Sequence, residues 1–176
     1  FHGMGLEDID AAMLGDGRPF VLELRMPKVR DLNLEGLEKE INEANNNRIK
    51  VNNLRFVDRP RVAELKNTVC DKSYRVDVSV SDITSIESLK KGAQRLSNAV
   101  VEQRTPTRVS HRRADLVRPR LINYMTVKSF VKGMMELEIR AQHGTYIREL
   151  VSGDGGRTDH RLSLPVASTL KVEVLG

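Results

Sequence analysis

A glycine followed three residues later by an aspartate stands near the start of the sequence, in the run Gly5-Leu6-Glu7-Asp8. Glycine lets the backbone turn sharply, and an aspartate on such a loop can direct its carboxylate at a ligand. A turn or helix-cap role for Asp8 explains the same spacing. The motif taken alone therefore leaves both a functional and a local structural role open.

A second candidate is the run from Gly144 to Leu150, which follows a predicted strand and opens a predicted helix. Gly144 allows a tight turn, Thr145 can cap the helix, and Arg148 falls in its first turns. An arginine so placed can pair with a carboxylate and keep it ionised in a fixed orientation. The alternative is an ordinary surface arginine.

Tyr74 begins an apolar strand pattern and is a third candidate. A tyrosine ring at a strand end can stack on a flat base, which contributes about 1–3 kcal/mol. The competing interpretation is that Tyr74 only completes the apolar face it shares with Val76 and Val78.

Arginines are concentrated between residues 104 and 120, where Asp115 is the only acid and His111 lies among them. The six arginines are Arg104, Arg108, Arg112, Arg113, Arg118 and Arg120. The net charge of +5 and the pI near 9.5 point in the same direction. Such a segment suits contacts to phosphates more than base stacking, because it has little aromatic content. A solvated basic face remains the alternative.

The composition excludes several classes of protein. Of the 176 residues, 39% are hydrophobic and 30% are charged, as in globular proteins, and no apolar run is long enough to cross a membrane. The single cysteine, Cys70, fits a reducing cytoplasm. The four histidines are scattered, so we expect no metal site and no small-molecule cofactor.

These residues need a scaffold, and residue periodicity predicts one. Alternating apolar and polar residues predict strands at 20–25, 49–57, 73–80, 121–130, 134–142 and 169–175, the fourth and fifth forming a hairpin at Lys132-Gly133. Helical spacing predicts helices from Asn33 to Ala44, from Pro60 to Leu65, over 82–103 and over 145–151. The mixture lacks a regular βαβ rhythm and predicts an α+β fold with a largely antiparallel sheet and flanking helices.

Four segments, in this order, resemble the Pus-ten family of archaeal and eukaryotic tRNA pseudouridine synthases. They are residues 1–20, 103–113, 144–150 and 152–158, and the similarity covers nearly the whole chain. The resemblance implies the pseudouridine synthase catalytic fold over residues 1–176. Because the sequence starts at Phe1, we also expect that the upstream part of the catalytic domain and an N-terminal RNA-binding domain lie outside it.

The resemblance also implies residue roles. Asp8 would be the catalytic aspartate, Tyr74 the base-stacking tyrosine, Ile147 an apolar packing residue and Arg148 the basic partner of Asp8. Asp10 is the competing aspartate, but the interval from Gly5 favours Asp8. RNA contacts are expected from Arg18, Arg104, Arg108, His111, Arg112, Arg113 and Arg157.

The implied reaction is the isomerisation of uridine to pseudouridine at two adjacent uridines at the start of the TΨC loop of tRNA. Leu6 and Ala12 stand where the family usually has arginine. A catalytically inactive RNA-binding module is therefore the second hypothesis, and a structural module with incidental basic charge is the third.

Overall fold

The structure, a computed structural model, describes residues 1–5, 11–80, 85–159 and 166–175. The strands in these ranges are β1 (His2–Gly3), β2 (Ala12–Met13), β3 (Phe20–Val21), β4 (Lys72–Val80), β5 (Ala99–Arg104), β6 (Val117–Val131), β7 (Met134–Ala141) and β8 (Val166–Val174). The helices are α1 (Leu34–Ala44), α2 (Pro60–Asn67), α3 (Ile86–Leu96) and α4 (Ile147–Ser152). No helix in the described ranges has the length and apolarity that a membrane span requires.

The chain divides into two compact units. The smaller unit consists of residues 1–4 and 19–68, with a two-stranded antiparallel sheet of β1 and β3. Helix α1 begins as predicted, because the Asn33 side chain accepts a hydrogen bond of 3.1 Å from the Gly36 amide. The strand predicted over 20–25 is too long. It ends at Val21, since β1 offers only two residues for pairing, and Leu22 and Leu24 are exposed.

The strand predicted over 49–57 is wrong. Side chains of α1 occupy the backbone groups that a neighbouring strand would have bonded. The Asn42 amide donates to the carbonyl of Val51 and accepts from its N–H, at 2.8 and 2.7 Å. Glu38 accepts from the Leu54 amide at 3.1 Å. An alternating pattern therefore occurs here in an extended segment bonded to a helix.

The larger unit consists of residues 5–18 and 69–176, and its described part contains a six-stranded sheet of order β2-β8-β4-β7-β6-β5. All neighbouring strands are antiparallel except β2 and β8, which are parallel. The predicted α+β class with a largely antiparallel sheet is confirmed. The predicted hairpin is confirmed too, with Lys132 and Gly133 at φ values of 51° and 78°, as a tight two-residue turn requires.

The core lies on one face of this sheet. Strand β4 alternates as predicted, with Tyr74, Val76, Val78 and Val80 on the buried face. Helices α3 and α4 contribute apolar side chains to the same core. Burying each valine stabilises the fold by about 1.5–3 kcal/mol relative to an exposed position.

The helix predicted over 82–103 is shorter than expected. It ends at Leu96, and Asn98, with φ of 58°, turns the chain into β5. Residues 99–104 then pair with β6 along their whole length. This missed strand carries Gln103 to the site described next.

Candidate functional site

A cavity of about 620 Å³ opens in the larger unit, where the buried face of the sheet meets the turn before α4. Lys72 and Tyr74 line it from β4, and Ile147 and Arg148 line it from the start of α4. Tyr74 is 4% exposed and Ile147 is 6% exposed. Three of the four residues predicted to be catalytic therefore line one cavity.

Asp8 and Asp10 lie outside the described residues. The described residues on either side of them are Gly5 and Ala11. A Cβ built on Gly5 would lie 3.0 Å from Nζ of Lys72, and Ala11 itself lines the cavity. Arg18, predicted to contact RNA, donates a hydrogen bond of 3.0 Å to the Gly5 carbonyl. Arg18 thus contacts the last described residue before Asp8 in the sequence.

The turn before α4 is fixed by its backbone. Gly144 has φ of 75°, a conformation that other residues adopt only with strain. The prediction that Thr145 caps α4 is wrong. Its hydroxyl donates to the Gln142 carbonyl at 2.7 Å, and the N-cap residue is Tyr146, which has no side-chain cap bond.

Gln103 holds the same turn from the end of β5. Its side-chain nitrogen donates to the Tyr146 carbonyl at 3.0 Å, and its side-chain oxygen accepts from the Tyr146 amide at 2.9 Å. Gln103 is only 2% exposed. It fixes the residue immediately before Ile147 and Arg148, a role that sequence reasoning missed because β5 was assigned to a helix.

Five arginines line the cavity, and we call them the cavity arginines: Arg112, Arg113, Arg118, Arg120 and Arg148. Lys72 adds a further positive charge, and no described lining residue is acidic. The cavity therefore combines apolar and aromatic surface with positive potential. This combination suits a nucleotide, which has a flat base and an anionic phosphate.

Three other predicted RNA-contacting arginines do not line the cavity and pair with carboxylates of the fold. Arg104 and Arg157 both bind Asp115, with shortest distances of 2.6 and 2.8 Å. Arg108 binds the buried Glu149 of α4 at 2.6 Å, and its guanidinium carbon lies 5.8 Å from the Tyr146 ring centre. His111 is exposed outside the cavity lining. We call the arginine-rich segment 104–120 the basic block, and we call Arg104, Arg108 and Arg157 the anchoring arginines. The basic block thus contains both anchoring and cavity-lining arginines.

Neighbouring charges and burial shift the pKa values of two groups at the site. The hydrogen bond from Arg104 lowers the pKa of Asp115 below its ordinary value. Burial lowers the pKa of Arg120, and the positive charge of Arg118 lowers it further.

Within the described residues, no group of three or more His, Cys, Asp or Glu side chains is placed to hold a metal ion.

The sequence model of one family, described as "Pus10, C-terminal", matches residues 1–175. The chain belongs to this family. Among curated relatives it is 44% identical over 172 residues to the tRNA pseudouridine synthase Pus10 of Methanothrix thermoacetophila, covering 98% of this chain and 38% of the relative. It is 45% identical over 163 residues to the enzyme of the same name in Methanocaldococcus jannaschii, covering 93% and 36%.

The chain thus spans less than half the length of these Pus10 relatives. Among solved structures, it is similar to a chain of a crystal structure of a Cbf5-Nop10-Gar1 complex, with a TM-score of 0.43 and 20% identity. That match covers 59% of this chain and 29% of the other. Family membership therefore rests on the sequence comparison.

Proposed function

We propose that this chain carries a pseudouridine synthase centre that isomerises uridine in the TΨC loop of tRNA. The observation that carries the proposal is the cavity in which Tyr74, Ile147 and Arg148 meet a group of cationic side chains. Its support from outside the structure is the name shared by the relatives, tRNA pseudouridine synthase Pus10. A cytoplasmic location is part of the proposal.

The reaction breaks the bond between C1′ of the ribose and N1 of uracil, rotates the base and joins C1′ to C5. The proton on C5 is lost to solvent and N1 is protonated, so no oxidant or metal is needed to balance the step. A carboxylate serves either as the nucleophile or as a base that removes a sugar proton. We assign this carboxylate to Asp8, because Ala11 lines the cavity and Gly5 lies next to Lys72, and these are the described residues on either side of it in the sequence.

The remaining roles follow from position. The target uridine must leave the RNA stack to react, so its base needs an apolar pocket. Tyr74 supplies the aromatic surface and Ile147 the apolar contact. Arg148, on the same wall as Ile147, is assigned as the basic partner of Asp8, which it would keep ionised.

Tritium release from tRNA labelled at C5 of uridine tests the assignment. We expect release by the unaltered chain, none above background with Asp8→Asn, and retained release with Asp10→Asn. The two aspartates stand two residues apart in the sequence, so Asp10→Asn controls for a general effect of replacing an aspartate in this segment. Loss with Asp10→Asn alone would transfer the role to Asp10.

The second candidate function is tRNA binding without turnover, suggested by Leu6 and Ala12, which stand where the family usually has arginine. It requires that the unaltered chain bind tRNA and release no tritium. Asp8→Asn should leave tRNA affinity unchanged under both functions, so binding and release are measured on the same preparations.

A further inference from the structure

Arg118 and Arg120 form the part of the cavity wall that comes from strand β6. They stand two residues apart and therefore share one face of the strand, with Ile122 next on that face. Ile122 is fully buried in the core. The inner face of β6 thus changes from apolar to cationic where it reaches the cavity.

Neutral groups hold both guanidinium groups in place. Arg118 donates to the Thr105 hydroxyl at 3.1 Å, and Arg120 donates to the Gly144 carbonyl at 3.2 Å. Arg118 also reaches the Leu116 carbonyl at 3.4 Å, and Arg120 reaches the Pro119 carbonyl at 3.2 Å. Within the described ranges neither is paired with a carboxylate.

The anchoring arginines differ in this respect. Arg104, Arg108 and Arg157 each have a carboxylate that balances their charge. At Arg120, burial and the neighbouring Arg118 disfavour the charged form and lower its pKa. An anion between the two arginines would offset both effects, and the guanidinium fork matches a phosphate group.

The position is also preorganised. A Cβ built on Gly144 would lie 3.4 Å from Nη2 of Arg120, so the guanidinium packs directly against the turn that leads to Ile147 and Arg148. In the sequence, Arg118 and Arg120 belong to the basic block, and they were not among the residues predicted to contact RNA. Their two-residue spacing on a strand was the available signal.

We propose that Arg118 and Arg120 bind a backbone phosphate adjacent to the nucleotide that enters the cavity. The inference rests on the proposed function and specifies it, because it fixes where the sugar-phosphate backbone passes the site. Tyr74 and Ile147 then receive the base, while the two arginines of β6 hold the phosphate next to it. The exposed Arg112 and Arg113 contact phosphates farther along the chain.

The test combines protein variants with a neutralised phosphate. A TΨC stem-loop RNA is made with single methylphosphonate linkages at and around the target uridine. Its affinity is measured by fluorescence anisotropy for the unaltered chain, Arg118→Gln, Arg120→Gln and the control Arg112→Gln. We expect Arg118→Gln and Arg120→Gln each to reduce the slope of log affinity against log salt by up to about 0.7, the value for the one single-strand phosphate contact that they share. Arg112→Gln should reduce the slope too, so the position of the neutral linkage distinguishes the variants.

The neutral linkage beside the target uridine should weaken binding by the unaltered chain and by Arg112→Gln. It should weaken binding by Arg118→Gln and by Arg120→Gln less, because each variant has already lost one of the two arginines that hold this phosphate. Equal sensitivity of all four proteins at every linkage would overturn the proposal. If Arg120→Gln unfolds, Arg118→Gln carries the same test, since it removes the other charge that holds this phosphate.

The measurement is independent of turnover. Suppose that the linkage beside the target uridine affects the unaltered chain more than the two β6 variants and that no tritium is released. This result would refute the catalytic proposal and leave the phosphate site in place. Tritium release with equal sensitivity of all four proteins to every linkage would support the catalytic proposal and refute the phosphate site. If the stem-loop does not bind, inorganic phosphate is titrated into the protein, and binding is detected through the NMR signals of the arginine Nε–H groups. No shift at Arg118 or Arg120 would overturn the inference.

Discussion

At the scale of single residues, the site depends on side chains that hold backbone as much as on those that face the cavity. Gln103 contacts both polar backbone groups of Tyr146. It lines no part of the cavity, yet it fixes the peptide that precedes Ile147 and Arg148. Gln103 is therefore a positioning residue.

Replacing Gln103 with leucine should lower kcat with little change in KM. The half-buried Tyr146 N–H would lose its partner, at a cost to stability of up to about 1–3 kcal/mol, and the turn carrying Arg148 would lose its restraint. Single-turnover tritium release, with urea unfolding in parallel, checks both effects. Gln94→Leu, at an exposed position on α3, is the matched control. A uniform loss of active protein with unaltered kcat per folded molecule would show a structural role only.

Candidate site residues could be predicted from the sequence where a short motif carried them. The turn at Gly144 indicated Ile147 and Arg148 as candidates, and strand alternation predicted that Tyr74 lies on the buried face. Gln103 could not be predicted, because its role depends on a contact between β5 and a turn 43 residues later. The ion pairs of Arg108 and Arg157 could not be predicted for the same reason, since they join residues 41 and 42 positions apart.

At the scale of elements, the connection between β5 and β6 brings the basic block to the cavity. Asp115 holds it near its end, accepting hydrogen bonds from Arg104 and from Arg157 of the segment after α4. Thr105, fully buried, donates to the Ala114 carbonyl at 2.7 Å and closes the same connection. Charge pairing inside the fold therefore orients the arginines that reach outward.

Asp115→Asn should destabilise the chain in a pH-dependent manner. The folded pKa of Asp115 is lower than its ordinary value of 3.8, chiefly through the hydrogen bond from Arg104. Its ionised form thus adds stability above pH 3.8, and this contribution is lost as the pH falls through the folded pKa.

The urea midpoint of Asp115→Asn should therefore be lower than that of the unaltered chain at neutral pH, and the gap should close in acid. Asp16→Asn, exposed in the described structure, should show no such gap at any pH. A gap for Asp115→Asn that persists unchanged in acid would contradict an electrostatic origin.

Among the elements, strands β4 and β7 could be predicted because their alternation coincides with one buried face. The alternation over 49–57 predicted a strand wrongly, because side chains of Asn42 and Glu38 in α1 bond the backbone groups that a partner strand would have bonded. Strand β5 was missed because the apolar spacing of α3 runs on into Ala99 and Val100, and only the left-handed Asn98 marks the break. Pairing partners decide such cases, and a local pattern does not contain them.

At the scale of the whole molecule, the net charge of +5 is distributed unevenly. The larger unit carries the cavity arginines around the cavity, while the anchoring arginines are balanced by acids. The overall charge favours association with any polyanion, and the cavity arginines give that attraction a location.

Reversing two charges should show this localisation. Arg112→Glu with Arg113→Glu should weaken tRNA binding and reduce the salt slope by about 1.4–1.8, the value for two phosphate contacts. Lys90→Glu with Lys91→Glu changes the net charge equally at exposed positions of α3. That control should have a clearly smaller effect in filter-binding titrations over a salt series. Equal losses for the two pairs would mean that net charge alone governs binding.

The pairing of β2 with β8 has a consequence for the order of events during synthesis. Ala12 and Met13, which follow Asp8 and Asp10 in the sequence, pair with Glu173 and Val174 of β8. A ribosome releases the chain from its N-terminus, so this ladder cannot form until β8 has left the exit tunnel. Closing so long a loop is also entropically costly until the intervening sheet exists. The segment beside Asp8 therefore gains its strand partner only after β4, β6 and β7 have been synthesised, and a nascent chain without β8 carries the cavity arginines before that pairing exists.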